Sequence, residues 1–482
     1  MIALLTKERS GCIASVNGMY RPRQPRTSPL WRCLVAHFDE FLALYAERYQ
    51  ARLGGLRPVI KHVVEKFLAC GDLAHGFARI RCPQCRQEYL LAFSCRGRGF
   101  CPSCHQKRVL LFGDRISQRV AARVPHRHHV FAIPIMLRAY FRYDRALLHL
   151  LCTAAERSLR DYFRIVLHSP KGLPAVIMAI HTFGDYLRFH PHLHALVADG
   201  LFEPDGSFCC APTKMNLQPL EKIFAARLLA ALRRKGLLTE ERAGRLQRWQ
   251  HSGFHVHQGR ILRPGCDRAL RNVAHYIVRN AFALEKINVV EGYNGRVESV
   301  VYRSAADAKT GRTAETFHPA DFIAMVTQHI PNHGAQMVRY YGWYSNKSRG
   351  KRRKRQLAED HAALGDEQPL LTTPPALRQV ASATWRELIK RIWEVDPLLC
   401  PRCGTEMAKI AVLKDPVVIT KILRHLNLWE EPPARGPPPG GTVYEPCYDD
   451  PPAAAESNDQ ASTADEQVFP DYDQYDPGPV YD

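Results

Sequence analysis

Apolar residues recur at helical spacing from Leu30 to Ala69, with Val35, Phe38, Phe41, Leu42 and Tyr45 on one face. A different pattern begins near residue 129. His129–Ile135, Pro174–Thr182 and Leu193–Val197 are apolar runs of strand length, and Tyr143–Phe163 reads as a long helix. Gly200 and the Asp205-Gly206 turn suggest a hairpin. Leu217–Lys235 and Glu240–Trp249 read as helices, as does Asp267–Leu284, which is amphipathic and preceded by Pro264-Gly265. Strand Arg296–Tyr302, helix Asp321–Gln328 and a helix around Trp385–Trp393 follow. Strands alternating with helices in this way predict an α/β (α+β) core. No internal repeats interrupt the pattern.

The segments between these elements set expected boundaries. Residues 1–30 are a basic arm rich in Pro, Arg and Ser. Residues 31–118 combine the first helical region, a Cys-, Gly- and Arg-rich module over 70–105 and a connecting helix over 106–123 that runs into the α/β region of 119–347. A basic linker is expected over 348–372, opening on the run Ser348–Arg355, then a region over 373–430 carrying Cys400 and Cys403. Beyond Glu431 the chain is acidic and rich in Pro and Gly, a composition that predicts disorder.

The 482 residues carry a formal charge of +20, unevenly spread. No Lys or Arg follows Arg435, and 11 carboxylates lie between Glu445 and Asp482, so the first 444 residues carry about +31. A charge that large points to a polyanion partner. No apolar run approaches bilayer length and no signal peptide is read at Met1–Lys7, so no membrane partner is expected and the protein is expected to stay where it is made. Several of the 15 cysteines fall in Cys-x-x-Cys pairs, which in such a chain favours metal over disulfides.

Cys82-Pro-Gln-Cys85 and Cys101-Pro-Ser-Cys104 are separated by fifteen residues, a spacing that predicts one tetrahedral structural zinc site. Cys95 and Cys70 lie close enough to replace or add ligands. Arg96, Arg98 and Lys107 in this module would face DNA phosphates. Cys400-Pro-Arg-Cys403-Gly404 is half a site: either it borrows ligands from elsewhere or it holds no metal.

Phe189-His190-Pro191-His192-Leu193-His194 carries the candidate chemistry. Side chains two apart on a strand share a face, so His192 and His194 project together, either as a pair of metal ligands or as two satisfied core histidines. His190 shares the phase, but Pro191 cannot join a ladder, so His190 ranks below the others as a third ligand. Some eighty residues on, Tyr276 sits on the amphipathic helix with Arg279 nearby. A phenol with a reference pKa of about 10 needs a cation or metal beside it to act as a nucleophile. Tyr340, Tyr341 and Tyr344 are rivals, but interleaved with the basic run that includes Lys351, Arg352 and Arg353 they suit stacking on unpaired bases.

These motifs in this order resemble the HUH-type rolling-circle transposases of bacterial insertion sequences, the IS91-like group and its single-tyrosine common-region relatives. The resemblance spans roughly residues 30–430 and rests on Cys70 to Cys85, Ser94 to Cys104, His190-Pro-His192-Leu-His194, the tyrosine helix, Arg339-Tyr-Tyr-Gly342 and Asp396 to Gly404. It implies a nuclease core on a central, largely antiparallel sheet with flanking helices, preceded by a small zinc-binding domain. It implies that His192 and His194 hold Mg²⁺ or Mn²⁺, that Tyr276 forms a 5′-phosphotyrosine on single-stranded DNA at element ends, and that Arg279 clamps phosphate. Relatives with two tyrosines carry them four apart; Asn272 fills the earlier position here and leaves Tyr276 alone. No small-molecule substrate is implied, and the expected setting is the bacterial cytoplasm, at the nucleoid when bound to DNA. A non-catalytic zinc-dependent DNA-binding regulator would explain the charge and cysteines but gives no use for His192 and His194. A hydrolytic metal nuclease would leave free 5′-phosphate ends.

Overall fold

A computed structural model describes residues 24–435 except 98, 250–252, 294, 305, 307–310, 365–385, 391–395, 432 and 434. Strands β1 (Phe77–Arg81) and β2 (Glu88–Ala92) lie in the cysteine-rich module. β3 (His126–Ala132), β4 (Ala175–Phe183) and β5 (Phe189–Ala198) follow, then the hairpin β6 (Gly200–Phe202) and β7 (Phe208–Cys210), and β8 (His255–Leu262). β9 (Ile287–Glu291), β10 (Val297–Arg303), β11 (Ala314–Phe317), β12 (Val338–Gly342) and β13 (Ala408–Leu413) complete the described strands.

The central sheet has the order β12-β4-β5-β3-β8, and every neighbouring pair is antiparallel. Period-two alternation divides its residues between two layers. Val176, Met178 and Ile180 of β4 and Leu193, Ala195 and Val197 of β5 pack on one face with Leu151, Leu159 and Phe163 of helix Leu148–Val166 and Phe224 and Leu228 of helix Gln218–Arg234. On the other face Ile177, Ala179, Leu196 and Ala198 meet Val273, Ala274, Tyr276 and Ile277 of helix Asp267–Ile277. The fold is thus α/β with antiparallel sheets and a cysteine-rich N-terminal module.

Several elements differ from expectation. The tyrosine helix stops at Ile277 rather than Leu284. Its last carbonyls are taken by side chains instead of a further turn: His181 Nε2–H donates to Ile277 O at 2.9 Å and His105 Nε2–H to Val278 O at 2.6 Å. The expected basic linker begins as a helix, Asn346–Leu364, whose Arg355 and Glu359 pair one turn apart. Of the helix around Trp385–Trp393, only 386–390 are described, and they are helical.

The N-terminal helices do not pack as a unit with the cysteine module alone. Leu34, Phe38 and Phe41 of helix Pro29–Leu44 share a core with Val300 of the β11-β10-β9 sheet and with Phe322 and Ile323 of helix Pro319–Thr327. His37 Nε2–H donates to Val297 O at 2.6 Å and Tyr49 OH to Asp321 Oδ1 at 2.8 Å across this contact. The C-terminal region is likewise joined to the cysteine module, because β13 pairs antiparallel with β1 in a β13-β1-β2 sheet. Expected residues 1–23 of the basic arm and most of the acidic tail beyond Glu431 lie outside the described residues.

Candidate metal centre and cysteine clusters

The register of β4 against β5 places His181 directly opposite His192 and Ala179 opposite His194. Residues opposite one another in an antiparallel pair share a face. His181, His192 and His194 therefore converge under the tyrosine helix, each with a nitrogen within 4.8 Å of the others, and all three are buried. His190, ranked as a third ligand from the sequence, is not in this group. Its ring lies tilted by 49° beside His192, with ring centroids 4.9 Å apart. His181 was inside a strand read from the sequence, but pairing Pro174–Thr182 with the histidine strand was the step needed to find it.

The hydrogen bonds fix which nitrogen of each ring faces the centre. His181 donates Nε2–H to Ile277 O, and its buried Nδ1 has no hydrogen-bond partner. His192 donates Nδ1–H to His190 O at 2.9 Å, which leaves Nε2 bare and 3.0 Å from His194 Nε2. His194 Nδ1 lies 2.8 Å from His128 Nε2, so a bare His194 Nε2 puts the proton on Nδ1 and makes His128 its acceptor. Three imidazoles thus each spend one nitrogen on a neighbouring acceptor and turn the other inward, an arrangement that could hold a metal ion.

Burial keeps the rings neutral, which is the ligand form. His181, His194 and His128 are pushed well below the usual imidazole range by burial first, and neighbouring rings and Arg279 add to it. Burial likewise lowers His192 to about 4 and His190 to about 2. Tyr276 packs edge-on against His194, with ring centroids 5.3 Å apart, and against His128 at 5.9 Å. The Arg279 guanidinium carbon lies 4.4 Å from the tyrosine ring centroid. Tyr276 is 3% exposed, and burial raises its pKa against the opposing effect of Arg279.

The eight cysteines form two clusters, and the grouping differs from that predicted by spacing. Cys101 and Cys104 join Cys70 and Cys95, while Cys82 and Cys85 join Cys400 and Cys403. The local backbone explains the division. Cys101-Pro-Ser-Cys104 opens helix Pro102–Arg115, with Cys101 at its N-cap. Cys82-Pro-Gln-Cys85 is a tight turn after β1 that ends in Arg86 at φ 60°. The first cluster is tied to the histidine centre through helix Pro102–Arg115. That helix crosses the tyrosine helix at Gly113, where a Cβ would come 2.2 Å from His275 Nε2.

A family model described as a putative transposase matches residues 175–352, which holds His181, His192, His194 and Tyr276. A second, described as a transposase zinc-binding domain, matches residues 41–133. The chain is 26% identical over 383 residues to the putative transposase y4qJ of Sinorhizobium fredii, covering 74% of this chain and 90% of that protein. It is 26% identical over 385 residues to the transposase for insertion sequence element IS801 of Pseudomonas savastanoi pv. phaseolicola, covering 75% of this chain and 85% of that protein. No solved structure gives a significant match. Both family models and both relatives support an IS91-like transposase.

The zinc-binding-domain match and the cysteine clusters support structural zinc in this chain. None of its described helices is long and apolar enough to cross a membrane. Of the residues expected to bind DNA, Arg96, Lys351 and Arg353 are exposed, and Arg98 lies outside the described residues. Arg352 is committed locally, stacking 4.0 Å from the Trp343 ring centroid and donating to Trp343 O. The rival tyrosines separate. Tyr340 faces the same side of the sheet as Ile177, whereas Tyr341 is opposite Val176 and packs on the apolar core. Tyr344 is fully buried, its hydroxyl 2.7 Å from His126 Nε2 and accepting from Ala122 N–H.

Proposed function

We propose that this transposase cuts single-stranded DNA at the ends of its element and stays joined to the cut strand through Tyr276. The observation that carries the reading is the edge-on packing of Tyr276 against His194, within a group of three inward-facing imidazoles and under Arg279. His181, His192 and His194 would hold the divalent ion, with His190 outside the set. An ion there would neutralise charge on the scissile phosphate. The donors are all imidazole, with no carboxylate among them, which suits Mn²⁺ better than Mg²⁺.

Tyr276 Oη attacks phosphorus, a Tyr–O–P bond forms, and the bond to the 3′ oxygen breaks to give a 3′-hydroxyl and a 5′-phosphotyrosine. The link conserves the phosphodiester bond for rejoining to another strand, as rolling-circle transposition requires. Arg279 stabilises the phenolate and would contact the phosphate. Arg96, Lys351 and Arg353 supply exposed charge for the backbone, and Tyr340 a ring on the histidine side of the sheet.

Burial of Tyr276 favours one competing reading, in which metal-activated water is the nucleophile and the tyrosine packs the centre. Incubation of purified protein with Mn²⁺ and a single-stranded oligonucleotide from the element ends separates the two. The expected result is a covalent protein–DNA adduct, mapped to Tyr276 by mass spectrometry and lost below detection in Tyr276→Phe. An undiminished adduct in Tyr276→Phe rejects this nucleophile, and free 5′-phosphate ends without adduct establish hydrolysis.

A further inference from the structure

We propose that a second structural zinc ion, held by Cys82, Cys85, Cys400 and Cys403, fastens residues 396–431 to the N-terminal cysteine module. The two halves of this site are 315 or more residues apart in sequence, and Cys400 and Cys403 lie outside the match to the zinc-binding domain.

The sulfur geometry is that of four ligands around one point. Cys82 Sγ is 3.5 Å from Cys403 Sγ, Cys85 Sγ is 3.4 Å from Cys400 Sγ, and all four atoms lie within 4.8 Å of one another. A tetrahedron with Zn–S bonds of about 2.3 Å has sulfurs roughly 3.8 Å apart. A disulfide would bring them to about 2.05 Å in separate pairs.

The two turns are copies of one another in backbone as well as sequence. In Cys82-Pro-Gln-Cys85-Arg86, Arg86 N–H donates to Cys82 O and Cys82 N–H to Gln87 O. In Cys400-Pro-Arg-Cys403-Gly404, Gly404 N–H donates to Cys400 O and Cys400 N–H to Thr405 O. Both fifth residues are left-handed, Arg86 at φ 60° and Gly404 at φ 70°. Glycine adopts that conformation freely, but arginine does so only where something holds it there. Two such knuckles presenting their thiolates to one point complete a tetrahedral zinc site that neither can form alone.

The shared packing between segment and module falls in two small clusters: Ala78, Ile80 and Cys82 against Cys400 and Met407, and Phe77 against Ile419 and Leu423. β13 adds a five-residue ladder on β1. A core this size is below what a free-standing unit needs, so the ion supplies the missing cross-link.

Cobalt substitution in the full-length protein tests this, because the thiolate-to-cobalt charge-transfer band counts sulfur ligands and ignores the histidine centre. Cys400→Ser/Cys403→Ser is expected to lose about half of the band, as is Cys82→Ser/Cys85→Ser, and combining all four substitutions removes no more. An unchanged band in Cys400→Ser/Cys403→Ser overturns the proposal. So does a native intact mass four hydrogens lighter than the reduced chain, which would mean two disulfides. Cys403→His keeps four ligands and guards against simple misfolding: it is expected to retain the metal with a thiolate band weakened by one sulfur, and an unweakened band in a folded Cys403→His protein counts against the site. Cleavage of the full-length protein at a protease site inserted within 365–385 gives an independent readout. The C-terminal fragment is expected to co-elute with the rest until a chelator is added, and co-elution that persists after complete zinc removal overturns the fastening role.

Discussion

His181, His192 and His194 project from within two adjacent strands of one sheet, whereas the clustered cysteines lie in turns, loops and a helix start outside the strands. In the sheet, Leu193, Ala195 and Val197 alternate with His192, His194 and Leu196 and are fully buried. Burial of a large apolar side chain such as Leu193 contributes about 1.5–3 kcal/mol, so the strands are held whether or not an ion is present. Cys70, Cys101 and Cys104 are backed by an extended core with Phe67, Phe100 and Phe282, but around Cys82 and Cys400 the buried residues are few. The histidine site is thus built without an ion, whereas the site around Cys82 and Cys400 would be assembled by one.

The strongest way to break that contrast is to strip the thiolate-bound ions with a chelator and follow amide hydrogen exchange. Protection is expected to collapse over 77–92 and 396–431 while β3, β4 and β5 keep theirs; equal loss in the central strands would erase the distinction. Next in size is the choice of third ligand. His181→Ala is expected to weaken Mn²⁺ binding, read by calorimetry, by more than the roughly 10–100-fold that loss of a supporting contact brings. His190→Ala should change it little, and the reverse ranking would restore His190 to the centre. His128→Phe removes the acceptor for His194 Nδ1 and is expected to weaken Mn²⁺ by about 10–100-fold with the fold intact. Unaltered affinity would reduce His128 to packing.

The smallest expected effect concerns a buried histidine outside any ligand group. His329 faces Thr182 Oγ1 through Nδ1 and donates Nε2–H to Leu187 O, and burial lowers its pKa to about 3. Between pH 6.5 and about 3 the unfolded chain binds a proton there that the folded chain does not. Its contribution to stability is therefore complete above pH 6.5 and declines as pH falls, by about 1.4 kcal/mol per pH unit. His329→Asn is expected to flatten the urea-midpoint profile by that slope, and a parallel profile would remove the assignment.

Local patterns made much of this legible. His192 and His194 share a strand, so alternation alone places them together, and the apolar runs of β4 and β5 were visible for the same reason. His181 depends on register, a relation between two strands that neither encodes by itself. The cysteine grouping was misread because two Cys-Pro-x-Cys stretches with the same spacing adopt different backbones. One starts a helix and the other closes a knuckle. The knuckle's partner is supplied by the far end of the chain, beyond the reach of a spacing rule. The helix stop at Ile277 was hidden too, since the donor that takes its carbonyl comes from another strand.

That carbonyl joins the tyrosine helix to His181 one residue past Tyr276, and it belongs to the peptide backbone. Every amino acid has one. Position 277 can therefore drift in sequence without severing the link, and a scan of side-chain substitutions there would pass over it. The spacing between Tyr276 and His181 is inherited through the chain's common scaffold, and only a change in the path of the helix, or at His181 itself, can alter it.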